Sequence, residues 1–370
     1  MYGVDNLNFD STRVKIDLDV IARNFDAVKK KTGVPIMAIV KADAYGHGAI
    51  QVTRHLKKEC AFFGVSSMLE AMELRKAGIQ NPILILGQIP VSAFGTAIRE
   101  NIRPTISRYE DAVALSETAQ RLGKNAPFPI AVDTGMSRLG FAPDDMPHLI
   151  ERLNRQKAVI PRSVFSHLAG SDSTDLDAFT HLQAARFQQA ADTLQAAFPH
   201  KILRHLCNSA GIERFPEYHH DMVRLGLGLY GISPVGDRLL HPISTLKSTI
   251  LQIHEVPENE TVGYSRRGQL TRPSRIASLP IGYADGLNRR LGNGRGYCIV
   301  NGQPAPYVGN ICMDVCMIDV TDIPCHEGDS VEIFGPTLPV TQLAQWLDTI
   351  PYEVLTGIST RVRRIYMVEN

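Results

Sequence analysis

The feature that most limits what this chain can become is a repeat. Between residues 35 and 231, apolar runs of strand length return eight times, with segments of helical character between them. The runs lie at 35–41, 62–66, 82–87, 103–106, 128–133, 164–168, 202–207 and 222–225. Near-continuous apolar runs mark strands covered on both faces, whereas a sheet wet on one side alternates. Eight such strands alternating with helices predict an α/β fold, a parallel (β/α)8 barrel rather than an open sheet. Helix boundaries are written into the intervening segments. Ser67 and Glu70 have capping-box spacing and Gly78 closes that helix. Asp19 is expected to cap a first helix that buries Val20, Ile21, Phe25 and Val28, and the helix at 110–122 is expected to end at Gly123.

After about residue 240 the pattern changes to an alternation of period two, at 245–256, 275–281, 313–320 and 330–334. Asn301-Gly302 is a two-residue hairpin signal, and only 341–347 looks helical. A chain of 370 residues is long for one core, so two domains are expected: a barrel over 12–240 and a mostly-β domain over 241–370. Residues 1–11 are assigned provisionally to the second domain, and an early strand at 14–18 is open to pairing with either.

Charge and cysteine usage narrow the function. With 39 basic and 38 acidic residues and a net charge of +1, no basic stripe offers itself to a phosphate backbone, which argues against nucleic acid. No run approaches the length of a membrane span, and residues 1–11 carry Asp5 and Asp10 without an apolar leader segment, so the expected compartment is the cytoplasm. The six scattered cysteines are read as reduced thiols. Cys312 and Cys316 are expected on one face of a strand, packed rather than bound to metal.

In a barrel of this kind, reactive groups stand at the C-terminal ends of the strands. Here those ends carry Lys41, Arg138, His167, Asn208 with Ser209, and Arg224 with Gly226. Lys41 is followed by a turn rich in Gly, Asp and Tyr, Ala42 to Gly48. An ammonium at such a mouth needs a counter-charge or loses its proton, and an amine with depressed pKa can form a Schiff base.

The segment VKADAYGHG at 40–48 is similar to the pyridoxal-phosphate (PLP) lysine motif of alanine racemases. The resemblance continues through VDTGMSRLGF (132–141), FSHLAGSD (165–172), CNSAG (207–211), VRLGLGLYG (223–231), VGYS (262–265), IGYADG (281–286), ICMD (311–314) and PYEVLTGISTRVRR (351–364), covering nearly the whole chain. It implies a PLP barrel followed by a β domain, in a head-to-tail homodimer with composite active sites. It also implies that Lys41 is the Schiff-base lysine and the base for the D-enantiomer, and that Tyr264 is the opposing base for the L-enantiomer. A tyrosine ordinarily titrates near ~10 and needs a neighbouring cation for that role.

By the same resemblance Arg224 faces the pyridine nitrogen with His167 beside it. Tyr45, Ser209, Gly226, Leu227 and Tyr352 hold the phosphate, with Asn208 at the same cofactor site. Arg138 and the backbone N–H of Met313 take the substrate carboxylate, Cys312 and Asp314 flank it, and Tyr283 and Tyr352 crowd the substrate side chain. Met313 and Tyr264 would come from the partner subunit. The implied reaction is interconversion of L- and D-alanine, with D-alanine supplied to bacterial peptidoglycan.

One departure stands out. The family commonly has a lysine, modified to a carbamate, two residues before the Asp of VDTG, and this chain has Ala131 there. Arg138 then needs another partner, such as a bound anion. This keeps a broad-specificity or serine racemase open as the competing reading. A non-catalytic PLP carrier is less compatible with Tyr264 and ICMD in a full second domain, and a PLP decarboxylase fits the VKADAYGHG and VGYS segments poorly.

Overall fold

The computed structural model describes residues 11–236 and 239–368. The expectations attached to residues 1–10, an absent leader and membership of the second domain, lie outside the described residues. The chain divides into two compact units. One contains Val20–Ala44 and Gly48–His241, and the other contains the described parts of Met1–Asp19, Tyr45–His47 and Pro242–Asn370.

All eight predicted strands are present in the first unit. Ile102–Pro104, Ile83–Ile85, Phe62–Val65, Ile36–Ile39 and Val223–Leu225 pair in that order, and Ala126–Ala131, Val159–Phe165 and Leu203–His205 form a second parallel set. Two seams close the ring. At one, Ile106 bridges Ile130 in parallel, with Ala131 N–H donating to the Ile106 carbonyl at 3.1 Å. At the other, Arg224 N–H donates to the Cys207 carbonyl at 3.0 Å. The result is a (β/α)8 barrel whose inner strands, such as Ile36–Ile39 and Ile83–Ile85, are buried at every position, as runs covered on both faces require.

The first helix, Leu18–Thr32, buries Val20, Ile21, Phe25 and Val28 as its periodicity predicts. Its cap is Asp17 rather than Asp19: the Asp17 carboxylate accepts from Asp19 N–H at 3.1 Å. The helix Tyr109–Arg121 ends before Gly123, at φ 60°, a left-handed closure that costs glycine little. The longest helix, Asp177–Ala197, has 21 residues, and no helix among the described residues is long and apolar enough to cross a membrane.

The second unit is built on a six-stranded sheet in the order Gln303–Pro306, Tyr297–Val300, Ser330–Phe334, Ser244–Thr249, Arg13–Asp17, Arg363–Met367. The early strand therefore belongs here, with Val14 opposite Leu246 on one side and Arg364 on the other, and the barrel unit begins at Val20 rather than at residue 12. A three-stranded sheet, Gln252–Val256, Ser274–Leu279 and Cys316–Asp319, completes most of the β structure. Asn301 and Gly302, at φ 49° and 80°, turn the predicted hairpin.

Three local expectations are corrected. The run at 245–256 breaks into two strands, because the chain leaves the large sheet after Thr249 and joins the smaller one at Gln252. A second helix, Pro351–Thr356, follows Val340–Leu347, opened by proline at its first position. Cys312 is not in a strand: its N–H donates to the Val315 carbonyl in a tight turn, and the strand begins only at Cys316. All six cysteines are free thiols, and no His/Cys/Asp/Glu group among the described residues could hold a metal.

Candidate active site

Lys41 follows the strand Ile36–Ile39, and the five residues after it have left-handed backbone: Ala42 and Asp43 at φ 51°, Ala44 and Tyr45 at 54°, Gly46 at 81°. Left-handed helical geometry costs L-residues about 1–2 kcal/mol each, so this turn persists only because its surroundings hold it. Within the barrel unit, Ala44 N–H donates to the Val40 carbonyl and Gly48 N–H to the Asp43 carbonyl, both at 2.9 Å. Ala49 N–H donates to the Asp43 carboxylate at 2.7 Å. Burial and then the field of Arg138 hold the Lys41 amine below its ordinary pKa, against a smaller opposing effect of Glu70.

Arg224 is the other fixed point. It is buried in the strand Val223–Leu225, and four of its guanidinium N–H groups are occupied. Nη1 donates to the His205 carbonyl (2.7 Å) and to His205 Nδ1 (3.1 Å); Nη2 donates to the carbonyls of Ser166 (2.6 Å) and Leu206 (2.8 Å), with His167 Nδ1 at 3.4 Å. Among the described residues no carboxylate pairs with it, and its Nε–H is the one guanidinium N–H without a protein acceptor. Burial lowers its pKa to about 10, so it stays charged at neutral pH.

His167 is held proton-free, its pKa pushed down to about 3 by burial first and then by Arg224, Arg138 and Lys41. Its loop is anchored by Gln183, fully buried, which donates to the His167 carbonyl at 3.0 Å and accepts from Ala169 N–H at 2.9 Å.

Ser209 and Gly226 meet: the Ser209 hydroxyl oxygen accepts from Gly226 N–H (3.0 Å) and Gly228 N–H (3.2 Å), which leaves its own O–H to donate elsewhere. Leu227 opens the 3-10 turn that follows. The Asn208 side chain is engaged within the protein: it caps the helix Ser209–Arg214 through Gly211 N–H and binds Ser171 Oγ and the Leu168 carbonyl, so its effect is on the placement of Ser209. Arg138 is exposed, with no hydrogen bond or ion pair to any described residue. Beside it a cavity of about 40 Å³ is lined by Ala131, His167, Phe165 and Ser166, in the space where a longer side chain than alanine would reach.

The β-rich unit gathers the remaining predicted residues into two groups. Tyr45 and Tyr352 face each other with ring centroids 5.4 Å apart, and burial followed by Tyr352 pushes the Tyr45 hydroxyl pKa up. Tyr283 N–H donates to the Cys312 carbonyl and Ala284 N–H to the Met313 carbonyl, each at 3.0 Å, which ties IGYADG to ICMD. That approach needs Gly282, where any Cβ would sit within 3.0 Å of the Cys312 and Met313 carbonyls. Asp314 is paired with Arg361 at 2.8 Å, and Arg361 reaches Asp285 at 3.5 Å.

Tyr264, Met313 and Tyr283 are 69%, 53% and 45% exposed. Tyr264 sits on a strained turn, between Gly263 at φ 77° and Ser265 at φ 58°, fixed by Asn310 Nδ2 donating to its carbonyl at 3.1 Å.

Sequence reasoning missed His205, which is fully buried, stacked on Phe165 at 5.0 Å and bonded to Arg224. Its signal was present as a histidine inside an apolar strand, where a polar group must have a buried partner. It also assigned Gln183 no task, because a glutamine on a long helix carries no signal of its own.

Residues 16–234 match the family described as alanine racemase, N-terminal domain, and residues 243–366 match alanine racemase, C-terminal domain. The chain is similar to alanine racemase 2 of Caldanaerobacter subterraneus subsp. tengcongensis, 40% identical over 369 residues that cover 96% of this chain and 95% of that protein. It is 39% identical to alanine racemase 1 of Clostridium acetobutylicum over 366 residues, 95% of this chain and 94% of that one. Among solved structures, the alanine racemase of Clostridium difficile 630 superposes with a TM-score of 0.90 at 36% identity, over 96% of each chain. That of Bartonella henselae with covalently bound pyridoxal phosphate gives 0.88 at 30% identity, over 96% of this chain and 99% of that one. With both halves matched and the barrel and β-rich units both in place, the chain belongs to the alanine racemase family of PLP-dependent isomerases, which interconvert L- and D-alanine.

Proposed function

We propose that this chain racemises alanine with two protein bases, Lys41 for the α-proton of the D-enantiomer and Tyr264 for that of the L-enantiomer. The observation that carries the reading is the barrel mouth itself: an amine held below its ordinary pKa, together with a buried guanidinium that has one N–H left over. These groups fit PLP. Lys41 suits its aldehyde, the Arg224 Nε–H suits an unprotonated ring nitrogen, and the outward O–H of Ser209 suits its phosphate. Gly226, Leu227, Tyr45 and Tyr352 complete the proposed phosphate set by their motif positions, and Asn208 places Ser209. When bound, PLP supplies the electron sink that makes the α-proton of an amino acid acidic.

The protein's own part is to bind, orient and move the proton. A neutral Lys41 accepts it on one side, and a phenol on the other side returns one, so the configuration inverts. Arg224 is permanently charged and bonded to three carbonyls, so it donates to the ring nitrogen without yielding a proton to it; His167 and His205 stay neutral and add no competing acid. Arg138 and Met313 N–H are proposed to take the substrate carboxylate between Cys312 and Asp314, with Tyr283 restricting the side-chain space to about a methyl group.

The exposure of Tyr264, Met313 and Tyr283 supports a homodimer in which each β-rich unit completes the partner's barrel. We assign the enzyme to the cytoplasm and its D-alanine to peptidoglycan synthesis. A broadened racemase, acting on serine as well, is the second reading, favoured by Ala131 and the unpaired Arg138.

Incubating the PLP-loaded protein in heavy water with L-alanine or L-serine, and following D-enantiomer and α-deuterium, tests both. D-alanine well ahead of D-serine supports the first reading and comparable rates the second. No α-exchange with either amino acid would overturn both.

A further inference from the structure

Glu70, which no motif of the resemblance contains, makes a connection that its place in a helix cap does not require. It stands in the first turn of the helix Met68–Lys76, whose N-cap Ser67 accepts from Glu70 N–H at 3.3 Å. In a closed capping box its carboxylate would return to the N–H of Ser67. It goes elsewhere. One oxygen accepts from the N–H and the hydroxyl of Ser66, at 2.7 and 2.9 Å, just past the strand Phe62–Val65. The other accepts from the N–H of Ala42 at 2.8 Å, the residue next to Lys41 and the first of the left-handed turn. The bonds from Ala44, Gly48 and Ala49 close that turn on itself; the Glu70 bond fixes it to the next strand and helix of the barrel.

We propose that Glu70 is a positioning residue for Lys41: by holding Ala42 N–H it fixes the strained turn, and with it the place from which the lysine amine reaches into the barrel mouth. The inference rests on the reading of Lys41 as the PLP lysine. Four consecutive non-glycine residues in left-handed geometry favour release of the turn as soon as its tethers go, and a carboxylate is a stronger acceptor for a backbone N–H than a neutral group. Gln at position 70 keeps an acceptor for Ala42, Ala keeps none, and Ser67→Ala removes the helix cap while leaving the Ala42 bond in place.

The test is hydrogen exchange of the PLP-loaded protein, read by mass spectrometry over 40–49 and 66–76, beside kcat and KM for L-alanine. In Glu70→Ala, exchange over 40–49 should rise about tenfold while within 66–76 only Ser66, which loses the same carboxylate, follows, and kcat should fall about tenfold with little change in KM, the scale of one charge-assisted hydrogen bond. Glu70→Gln should recover most of both, and Ser67→Ala should leave 40–49 and kcat alone. Unchanged exchange over 40–49 in Glu70→Ala would overturn the proposal, as would equal effects of Ser67→Ala and Glu70→Ala. If Glu70→Ala does not fold, Glu70→Asp, one methylene shorter and so drawn back from Ala42 N–H, takes its place, and parent-like exchange over 40–49 in that variant overturns the proposal as well. Failure of the Lys41 reading is separately visible: Lys41→Ala would then retain the visible absorption of lysine-bound PLP.

Discussion

Lowering the pH from 7 to 5 should cost this fold about 2 kcal/mol through His167, with a further loss of the same sign through His205, the two histidines beside Arg224. An unfolded histidine takes up its proton near 6.5. In the folded chain burial, then Arg224, Arg138 and Lys41, push His167 down to about 3, and burial with Arg224 pushes His205 well below its ordinary value. His205 Nδ1 accepts from the Arg224 guanidinium, so a proton there would place two cations in contact. Between 6.5 and about 3 the unfolded state therefore binds more protons than the folded one, and stability is present above 6.5 and lost as the pH falls.

For His167, still proton-free in the folded chain at pH 5, that pH lies about 1.5 units below the unfolded pKa, which corresponds to about 2 kcal/mol at 1.36 kcal/mol per unit. Urea unfolding followed by circular dichroism at pH 7 and pH 5 measures the difference. His167→Gln should reduce it by about 2 kcal/mol and His205→Gln should reduce it as well, whatever they do to stability at pH 7. A pH dependence the same in both variants as in the parent would refute the assignment of these two rings as buried and neutral.

Gly282→Ala should destabilise the chain by about 2–4 kcal/mol, because the backbone must part at the Tyr283–Cys312 and Ala284–Met313 hydrogen bonds; a melting temperature within a degree of the parent's would contradict the close approach. Lys41→Ala should abolish the visible absorption of lysine-bound PLP, whereas Tyr264→Phe should keep it and lose L-to-D turnover; full L-to-D activity in Tyr264→Phe would sink the two-base assignment. Ala131→Lys should place an amine beside the unpaired Arg138, raising KM for alanine in carbonate-free buffer by like-charge repulsion and lowering it when bicarbonate is added. A KM indifferent to bicarbonate would mean that the new side chain does not reach the arginine.

Barrel strands such as Ile36–Ile39, Ile83–Ile85 and Val223–Leu225 were legible because every residue in them is buried, so hydrophobicity alone marks them. The Asn301-Gly302 hairpin was legible because its turn demands residues that accept positive φ. The helix Pro351–Thr356 was not, since six residues make too short a stretch to display a period, and neither was the turn at Cys312, which shares its apolar composition with the strand that follows. Lys41, Arg138, His167, Ser209 and Arg224 could be picked out as reactive types at strand ends. Tyr264, Tyr283 and Met313 could not, because outside a motif an exposed aromatic or methionine in a β-rich segment resembles ordinary packing.

The linear order of residues was enough to determine the architecture and the chemistry on offer, because periodicity, turn residues and motif identity are local properties. How those groups are tuned was decided only in three dimensions. Nothing about Ala42, Asp43, Ala44 and Tyr45 suggests left-handed backbone, which their own preferences oppose and their tethers impose. Nothing in the strand at 202–207 says that His205 will accept from Arg224, or that every guanidinium N–H but one will be occupied. Strain, desolvation and hydrogen-bond saturation depend on which distant residues surround a group, and folding brings those residues together.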